Sequence, residues 1–490
     1  MMPGLTDSRY AGGSPMGAAA VPSWPVRFRR PPRGIVVPMQ AWFERIGATD
    51  LQQLVTDVGP VPANVGGVLL LEPAAAPDAQ ETVDLLRTRV SGIPRLRQRL
   101  MATPLGGGRP VWVDDTAFDA SRHVAVVSCP PPGDDRALFD LATAIVTEPL
   151  DRTAPLWRAR VVSGLASGGC AVVFALHHVL ADGLGGLAVL ADLMDAGPAA
   201  RASADPPPPR PAPTPGQLRR EARDARLRAV RRVPRDVASL GPALAELGTG
   251  QVGRAPRTSL NKPTGSRRRV AAVDLPLAPL QDAARANGGT VNDALLAAVT
   301  GALSAVLRSR GENPASLVVS VPVSARRQAT TQELGNQVGV MAVRVPTHGS
   351  AAARIGRIAA TTRAQKSTAR GASASLVAPA FRLVAAVGLF RWMIDHQRLV
   401  NAFLTSMRGP QQPLTLGGIT VRRIVPVTLA TGNVPVAFAA LSYAGLITVA
   451  VNGDPDVVTD IDALAGIVAE ELGSLQAGEP DPLNYGSSSG

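Results

Sequence analysis

The sequence predicts an α/β protein of two domains, and three observations carry that prediction. Short apolar runs of strand character alternate with segments of helical period, the pattern of helices packed against a sheet. At 490 residues the chain exceeds what one hydrophobic core ordinarily organises. The run Asp205-Pro206-Pro207-Pro208-Pro209, within a Pro-rich stretch from Ala199 to Pro215, suits neither a helix nor a central strand and acts as a semi-rigid spacer. The predicted organisation is a disordered tail over 1–38, an N-terminal domain over 39–198, a Pro- and Arg-rich linker and helix over 199–250, a C-terminal domain over 251–480, and a disordered end over 481–490.

The elements follow in order. Gln40–Val55 reads as a helix, Val65–Leu71 as a strand and Ala79–Val90 as a helix, after which Ile93–Leu100 turns into a basic segment. Val111–Val113 and His123–Val127 read as strands, and Asp134–Thr147 as a helix with its apolar positions at helical spacing. Trp157–Val162 is the next strand. Ala171–Leu176, continuous, apolar and partly β-branched, reads as a buried one, followed by an apolar helix over Leu184–Met194. Beyond the spacer come an Arg-rich helical piece (Gln217–Leu247), a strand (Arg269–Val273), helices (Leu277–Ala286, Asn292–Arg308) and strands (Leu317–Val323, Gly339–Val345). Ser350 is the predicted N-cap of a helix running to about Arg370. Ala372–Arg408, apolar with scattered Arg and containing Phe381, Phe390, Trp392, Met393 and Phe403, is the main amphipathic stretch, either a core face or a membrane face. Ile424–Gly453 is uncharged and long enough to span a bilayer, but Pro426, Gly432, Asn433, Pro435, Gly445 and Asn452 break it into two buried strands and a turn. A helix from Asp460 to about Leu475 closes the pattern.

The chemistry concentrates at His177-His178-Val179-Leu180-Ala181-Asp182-Gly183, where two imidazoles stand at the end of the buried strand and an Asp-Gly turn follows. A lone His on an apolar segment is usually a core residue. Here two of the five His of the chain are adjacent, which favours a base. A neutral imidazole, with a reference pKa of roughly 6.5, can take a proton from a hydroxyl as that oxygen attacks. Neighbours in an extended segment point to opposite faces, so one His faces a substrate while the other packs. Asp182 can return to the turn as a buried carboxylate, and Gly183 lets the backbone bend or a ligand approach. His178 and Asp182 would share a face if the segment were helical, but zinc takes three or four protein ligands and no Cys/His cluster supplies the rest.

Charge and composition narrow the partners. Between Arg201 and Arg269 stand 16 Lys/Arg against 5 Asp/Glu, nearly the whole net charge of +12. No interleaved aromatics accompany that stretch, which argues against nucleic acid and for anionic lipid or the phosphates of a nucleotide-bearing cosubstrate. Two cysteines, Cys129 and Cys170, make no disulfide framework and fit a reducing cytosol, and Cys170 reads as core filling rather than a nucleophile. Residues 1–38 lack an apolar h-region, so no secretory signal is expected there.

Several further motifs, in order, resemble the bacterial wax ester synthase/diacylglycerol acyltransferase family of the His-His-x-x-x-Asp-Gly acyltransferases. Pro155-Leu156-Trp157 matches its Pro-Leu-Trp motif about twenty residues before the His pair, Ser259-Leu260-Asn261 its Ser-Leu-Asn element, and Asn292-Asp293 its Asn-Asp helix start. Val321-Pro322-Val323-Ser324 and Gly335-Asn336-Gln337 resemble its Val-Pro-Val-Ser and Gly-Asn segments. Where the family carries Ser/Thr-Asn-Val-Pro-Gly-Pro, this chain reads Thr405-Ser406-Met407-Arg408-Gly409-Pro410, and Lys262-Pro263-Thr264-Gly265 follows Asn261 in place of the expected small residue. The resemblance, over roughly Gln40 to Leu475, implies two chloramphenicol-acetyltransferase-like domains, each a mixed sheet with helices, and a tunnel between them. It implies that His178 is the general base in acyl transfer from acyl-CoA to diacylglycerol or a long-chain alcohol, with His177, Asp182 and Gly183 supporting the geometry. Pro155, Leu156, Trp157, Asn292, Asp293 and Asn336 are then candidate substrate-binding residues, although Trp157 also suits a core and Asn292 an N-cap. No metal or other cofactor is expected, acyl-CoA being a substrate. The expected location is cytoplasmic, at the inner face of the plasma membrane or on lipid droplets. A condensation-type acyltransferase using a carrier-bound acyl group on a diol or glycolipid and a catalytically silent lipid-binding paralogue remain the alternatives.

Overall fold

The computed structural model describes residues 43–73, 78–201, 207–228, 253–324, 334, 338–368, 388–428 and 430–477. The first half contains β1 (Glu44–Arg45), α1 (Ala48–Val55), β2 (Asn64–Leu71), α2 (Ala79–Ser91), β3 (Gln98–Met101), β4 (Val111–Asp114), α3 (Ala120–His123), β5 (Val124–Ser128), α4 (Asp135–Thr147), β6 (Trp157–Ser163), β7 (Ala171–His177) and α5 (Gly183–Leu193). The second half contains β8 (Arg269–Pro276), α6 (Leu277–Ala286), α7 (Val291–Ser309), β9 (Ser316–Ser324), β10 (Val338–Pro346), α8 (Ala351–Thr368), α9 (Phe390–Asp395), β11 (Ala402–Arg408), β12 (Thr415–Leu416), β13 (Ile419–Val427), β14 (Val436–Tyr443), β15 (Leu446–Gly453) and α10 (Ile461–Ala477).

The described strands form two six-stranded mixed sheets, ordered β12-β13-β2-β7-β6-β5 and β10-β9-β11-β14-β15-β8, and a three-stranded β1-β4-β3 sheet. In the first, β5 and β6 are parallel and the other pairs antiparallel. In the second, β11 runs parallel to both β9 and β14. The α/β class and the mixed sheets are as the sequence implies. The halves also share a strand: β13, far down the chain, pairs antiparallel with β2, Val425 opposite Val68. The span 251–480 therefore does not close on itself.

Each strand face carries its own core. Val172, Phe174 and Leu176 of β7 join a cluster with α2 and α5, whereas Ala171, Val173 and Ala175 join one under α4 that also takes Val270 and Ala450 from the second sheet. This period-two alternation is why the run could be fully apolar: both faces are covered. The second sheet packs against α7, which is buried along most of its length. Among the described helices α7 alone is long and apolar enough to cross a bilayer, and its burial makes it a core helix.

Three local expectations are corrected. The first helix begins at Ala48 and not Gln40, because Glu44–Arg45 pairs with β4 and Gly47 starts the helix, its N–H donating to Asp50 Oδ2 at 2.8 Å. His123 ends a short helix, and the strand starts at Val124. The stretch Ala372–Arg408 is not one amphipathic element: 372–387 lie outside the described residues, Phe390–Asp395 is helical, and Ala402–Arg408 is an interior strand whose Ala402 and Leu404 are buried. Of the Arg-rich helix, 215–228 is described, packing Leu218 against Val111 and Val113, and 229–252 lie outside. Ser350 does cap its helix, accepting from Ala353 N–H at 3.3 Å.

Candidate active site

The His-His turn is built by the strand that ends in it. The His177 N–H donates to Leu156 O at 2.9 Å, continuing the β7–β6 ladder by one bond. The chain then bends, with the His178 N–H donating to Ala63 O at 2.8 Å and the Leu180 N–H to His177 O at 2.9 Å. Asp182 opens α5 as its N-cap, Oδ1 accepting from the Gly185 N–H at 2.9 Å. That satisfies one of the donors a helix start leaves open. His178 is thus half-buried on a turn pinned at both ends.

His177 is locked. Its Nδ1 accepts the Val179 N–H at 3.0 Å, so the ring proton sits on Nε2, which donates to Asp57 Oδ2 at 3.2 Å. Asp57 stands 120 residues away in sequence, in the loop between α1 and β2. Its side chain is only 6% exposed, and it also accepts from the Ala63 N–H at 2.8 Å and from Arg152 at 2.6 Å. Burial alone would raise the Asp57 carboxyl, but the hydrogen bonds from His177 and the Ala63 N–H and the charge of Arg152 outweigh it and hold the group below the usual carboxylate range. Beside it Asn64, opposite His177 in the β2–β7 register, donates to Val146 O and Glu148 O at 2.9 and 3.0 Å.

Next to the motif lies an apolar cavity of about 60 Å³ between the halves, with Gly183 and Leu187 of α5, Phe174 of β7, Gly67 of β2, Met407 of β11 and Leu441 of β14 among its walls. Glycine at 183 lets Met407 come this close: a Cβ there would stand 2.7 Å from Met407 Sδ, so the thioether would have to move. The altered Thr405–Pro410 segment is therefore in contact with the motif.

The other sequence-predicted residues fall elsewhere. Pro155 and Leu156 are buried, and Trp157, 1% exposed, donates from Nε1 to Leu96 O at 2.7 Å and stacks between His123 and Phe174. Its side chain packs in the core, and the motif presents the Leu156 carbonyl that holds His177. Asp293 is buried in a capping box, its Oδ2 accepting from Thr290 N–H at 2.8 Å and its Oδ1 from Thr362 Oγ1 at 2.9 Å. The N-cap is Thr290, not Asn292, which lies half-buried in the first turn. Asn336 lies outside the described residues. Cys170 is buried and its thiol pushed up by burial, as filling and not as a nucleophile. Among the described residues no group of three His, Cys, Asp or Glu could hold a metal ion.

A His-His-x-x-x-Asp-Gly segment at the end of an interior strand, its Gly183 lining an apolar cavity between two mixed sheets, is the arrangement of the acyltransferases that carry this motif. Residues 47–295 match the wax ester synthase/diacylglycerol acyltransferase catalytic domain and 334–476 the WS/DGAT C-terminal domain. The chain is 32% identical over 426 residues to the probable diacylglycerol O-acyltransferase tgs1 of Mycobacterium tuberculosis, covering 84% of this chain and 91% of the relative. It superposes on the wax ester synthase/diacylglycerol acyltransferase of Marinobacter aquaeolei VT8 with a TM-score of 0.64 at 23% identity, covering 89% of this chain and 99% of that one. The first condensation domain of the CDA synthetase shares the fold at a TM-score of 0.59 and 18% identity, covering 91% of this chain and 98% of that one. The chain belongs to the wax ester synthase/diacylglycerol acyltransferase family.

Proposed function

We propose that this protein transfers an acyl group from acyl-CoA to the hydroxyl of diacylglycerol or of a long-chain alcohol, with His178 as general base. The observation that carries the reading is the pinned His-His turn, whose own Gly183 lines the apolar cavity. The His178 imidazole takes the hydroxyl proton as the oxygen forms a bond to the thioester carbonyl carbon. The tetrahedral intermediate collapses, the C–S bond breaks, and the imidazolium returns the proton to the departing CoA thiolate. Asp182 acts as a helix cap and His177 as a brace, and the reaction so written needs no cofactor. Purified protein given labelled palmitoyl-CoA with dioleoylglycerol or hexadecanol should release CoA and form labelled neutral lipid, and His178→Ala should abolish both while remaining folded. CoA release retained in that variant would remove the base assignment; product from neither alcohol in the wild type would leave a lipid-binding role.

We also infer peripheral association with an anionic membrane or lipid-droplet surface, on the cytoplasmic side. Leu105, in the β3–β4 loop, is 96% exposed, and the Leu105 and Gly106 carbonyls accept from Arg219 and Arg226 of the 215–228 helix, where Arg220 and Arg223 are also exposed. Leu389, Trp392 and Leu399 are exposed around α9, beside Arg391. Apolar tips among arginines suit an interface of anionic headgroups. Flotation with phosphatidylglycerol vesicles should recover the wild type and less of a Leu105→Ser/Trp392→Ser variant.

A further inference from the structure

We propose that Asp57 is a positioning residue for the His178 imidazole, holding the peptide that carries it from both sides. Its two carboxylate oxygens start two separate routes to that peptide. Oδ2 accepts from His177 Nε2 at 3.2 Å, which fixes the ring so that Nδ1 receives the Val179 N–H at 3.0 Å, just after His178. Oδ1 accepts the Ala63 N–H at 2.8 Å, and the carbonyl of the same Ala63 receives the His178 N–H at 2.8 Å. The His178 backbone is clamped between these routes, with the carboxylate as their common post. Arg152, from the α4–β6 loop, holds Oδ2 from the outside at 2.6 Å and keeps the carboxylate ionised. Both His177 and Asp57 are nearly sealed from solvent, so water does not replace a lost bond.

The two routes need two acceptors. An amide at this position offers one acceptor oxygen and one donor NH2, so Asp57→Asn can serve either the His177 Nε2–H or the Ala63 N–H but not both. If the NH2 faces His177, the ring must change tautomer, and Nδ1 then meets the Val179 N–H donor to donor. Either way one side of the clamp opens, with little change in size.

The inference rests on the His178 base reading, so His178→Ala is assayed alongside. The expected result for Asp57→Asn is a kcat lowered about 10–100-fold, the range for a reacting group displaced by a fraction of an ångström to one ångström. KM for palmitoyl-CoA should stay within about twofold of wild type, because the cavity walls are untouched. Histidine-selective 15N spectra should show His177 as the Nε2–H tautomer in the wild type and a changed signal in the variant. If Asp57→Asn does not accumulate folded, His177→Asn takes its place: its side-chain oxygen can still accept from the Val179 N–H while the bond to Asp57 is gone, and the same kcat-selective loss is expected. A wild-type kcat in the folded variant, a loss in KM alone, or an Nδ1–H tautomer of His177 in the wild type overturns the proposal. If His178→Ala is inactive while Asp57→Asn is fully active, this inference alone fails; if His178→Ala is active, the base reading fails.

Discussion

Gly183→Ala tests how the motif meets the second half of the chain. The added Cβ would lie 2.7 Å from Met407 Sδ, with Met407 Cγ and Cε at 3.7 and 3.9 Å. A comfortable carbon contact is about 3.5–4.0 Å, so something must yield by roughly 1 Å. The thioether is the softer side, being unbranched and rotatable, whereas the start of α5 is held by the Asp182 cap. Met407 already lines the cavity, and with only about 60 Å³ to enter it displaces ligand from there. Loss of room for two methylenes would cost a long acyl chain about 1.6 kcal/mol, roughly 15-fold in kcat/KM. A short acyl donor should be spared, and overpacking should cost about 1 kcal/mol of stability. Initial rates of CoA release with octanoyl- and palmitoyl-CoA measure the split, and Gly183→Ala/Met407→Ala should recover the long-chain rate. Equal losses with both donors, unrelieved in the double variant, would refute the argument by showing that α5 and its His turn had moved instead.

Three other outcomes follow from the geometry. Trp157→Phe keeps the ring stack but leaves the buried Leu96 carbonyl without the indole N–H, so it should lower stability by about 1–3 kcal/mol in urea melts and leave KM unchanged. Asp182→Ala should lose about 1 kcal/mol through the missing cap, whereas Asp182→Asn, an equally good N-cap, should stay folded and active; a folded but inactive Asn variant would give Asp182 a chemical role. The carboxyls of Asp57 and Asp195 are both held below their ordinary value, burial being outweighed by His177 in the first and by Arg89 in the second. Their stabilisation is therefore complete above the unfolded-state value of about 3.9 and is lost as the pH falls through the lower folded-state values, which acid titration of the melting temperature should show as a decline beginning near pH 4.

Much of this was legible in the sequence because the signals were local. The apolar run of β7 and the helical spacing of α4 and α7 each depend on residues within one element, and their bounds agree to within about a residue or two. The motif residues His177, His178, Asp182 and Gly183 stand together for the same reason. Asp57 and Arg152 left no such trace, since a carboxylate before Gly59-Pro60 reads as an ordinary turn residue and an arginine after Asp151 as surface. Their meeting with His177 is made by sheet topology, as is the contact of Met407 with Gly183. Trp157 was ambiguous because an indole suits a core and a binding wall equally, and only its bond to Leu96 O decides. The strand assignment of β13 across the halves carried no sequence mark, its alternation being satisfied by either sheet.

That exchanged strand has a consequence for biogenesis. When the first half leaves the ribosome, the side of β2 that β13 will cover is bare, and its partner begins only at Ile419, nearly 350 residues after Leu71. At 5–20 residues per second this is an interval of roughly 20–70 s in which an apolar strand edge stands open to other nascent chains. The first sheet thus completes only when this late segment arrives, and its last-made edge is the point at which the newborn chain is most exposed to mispairing.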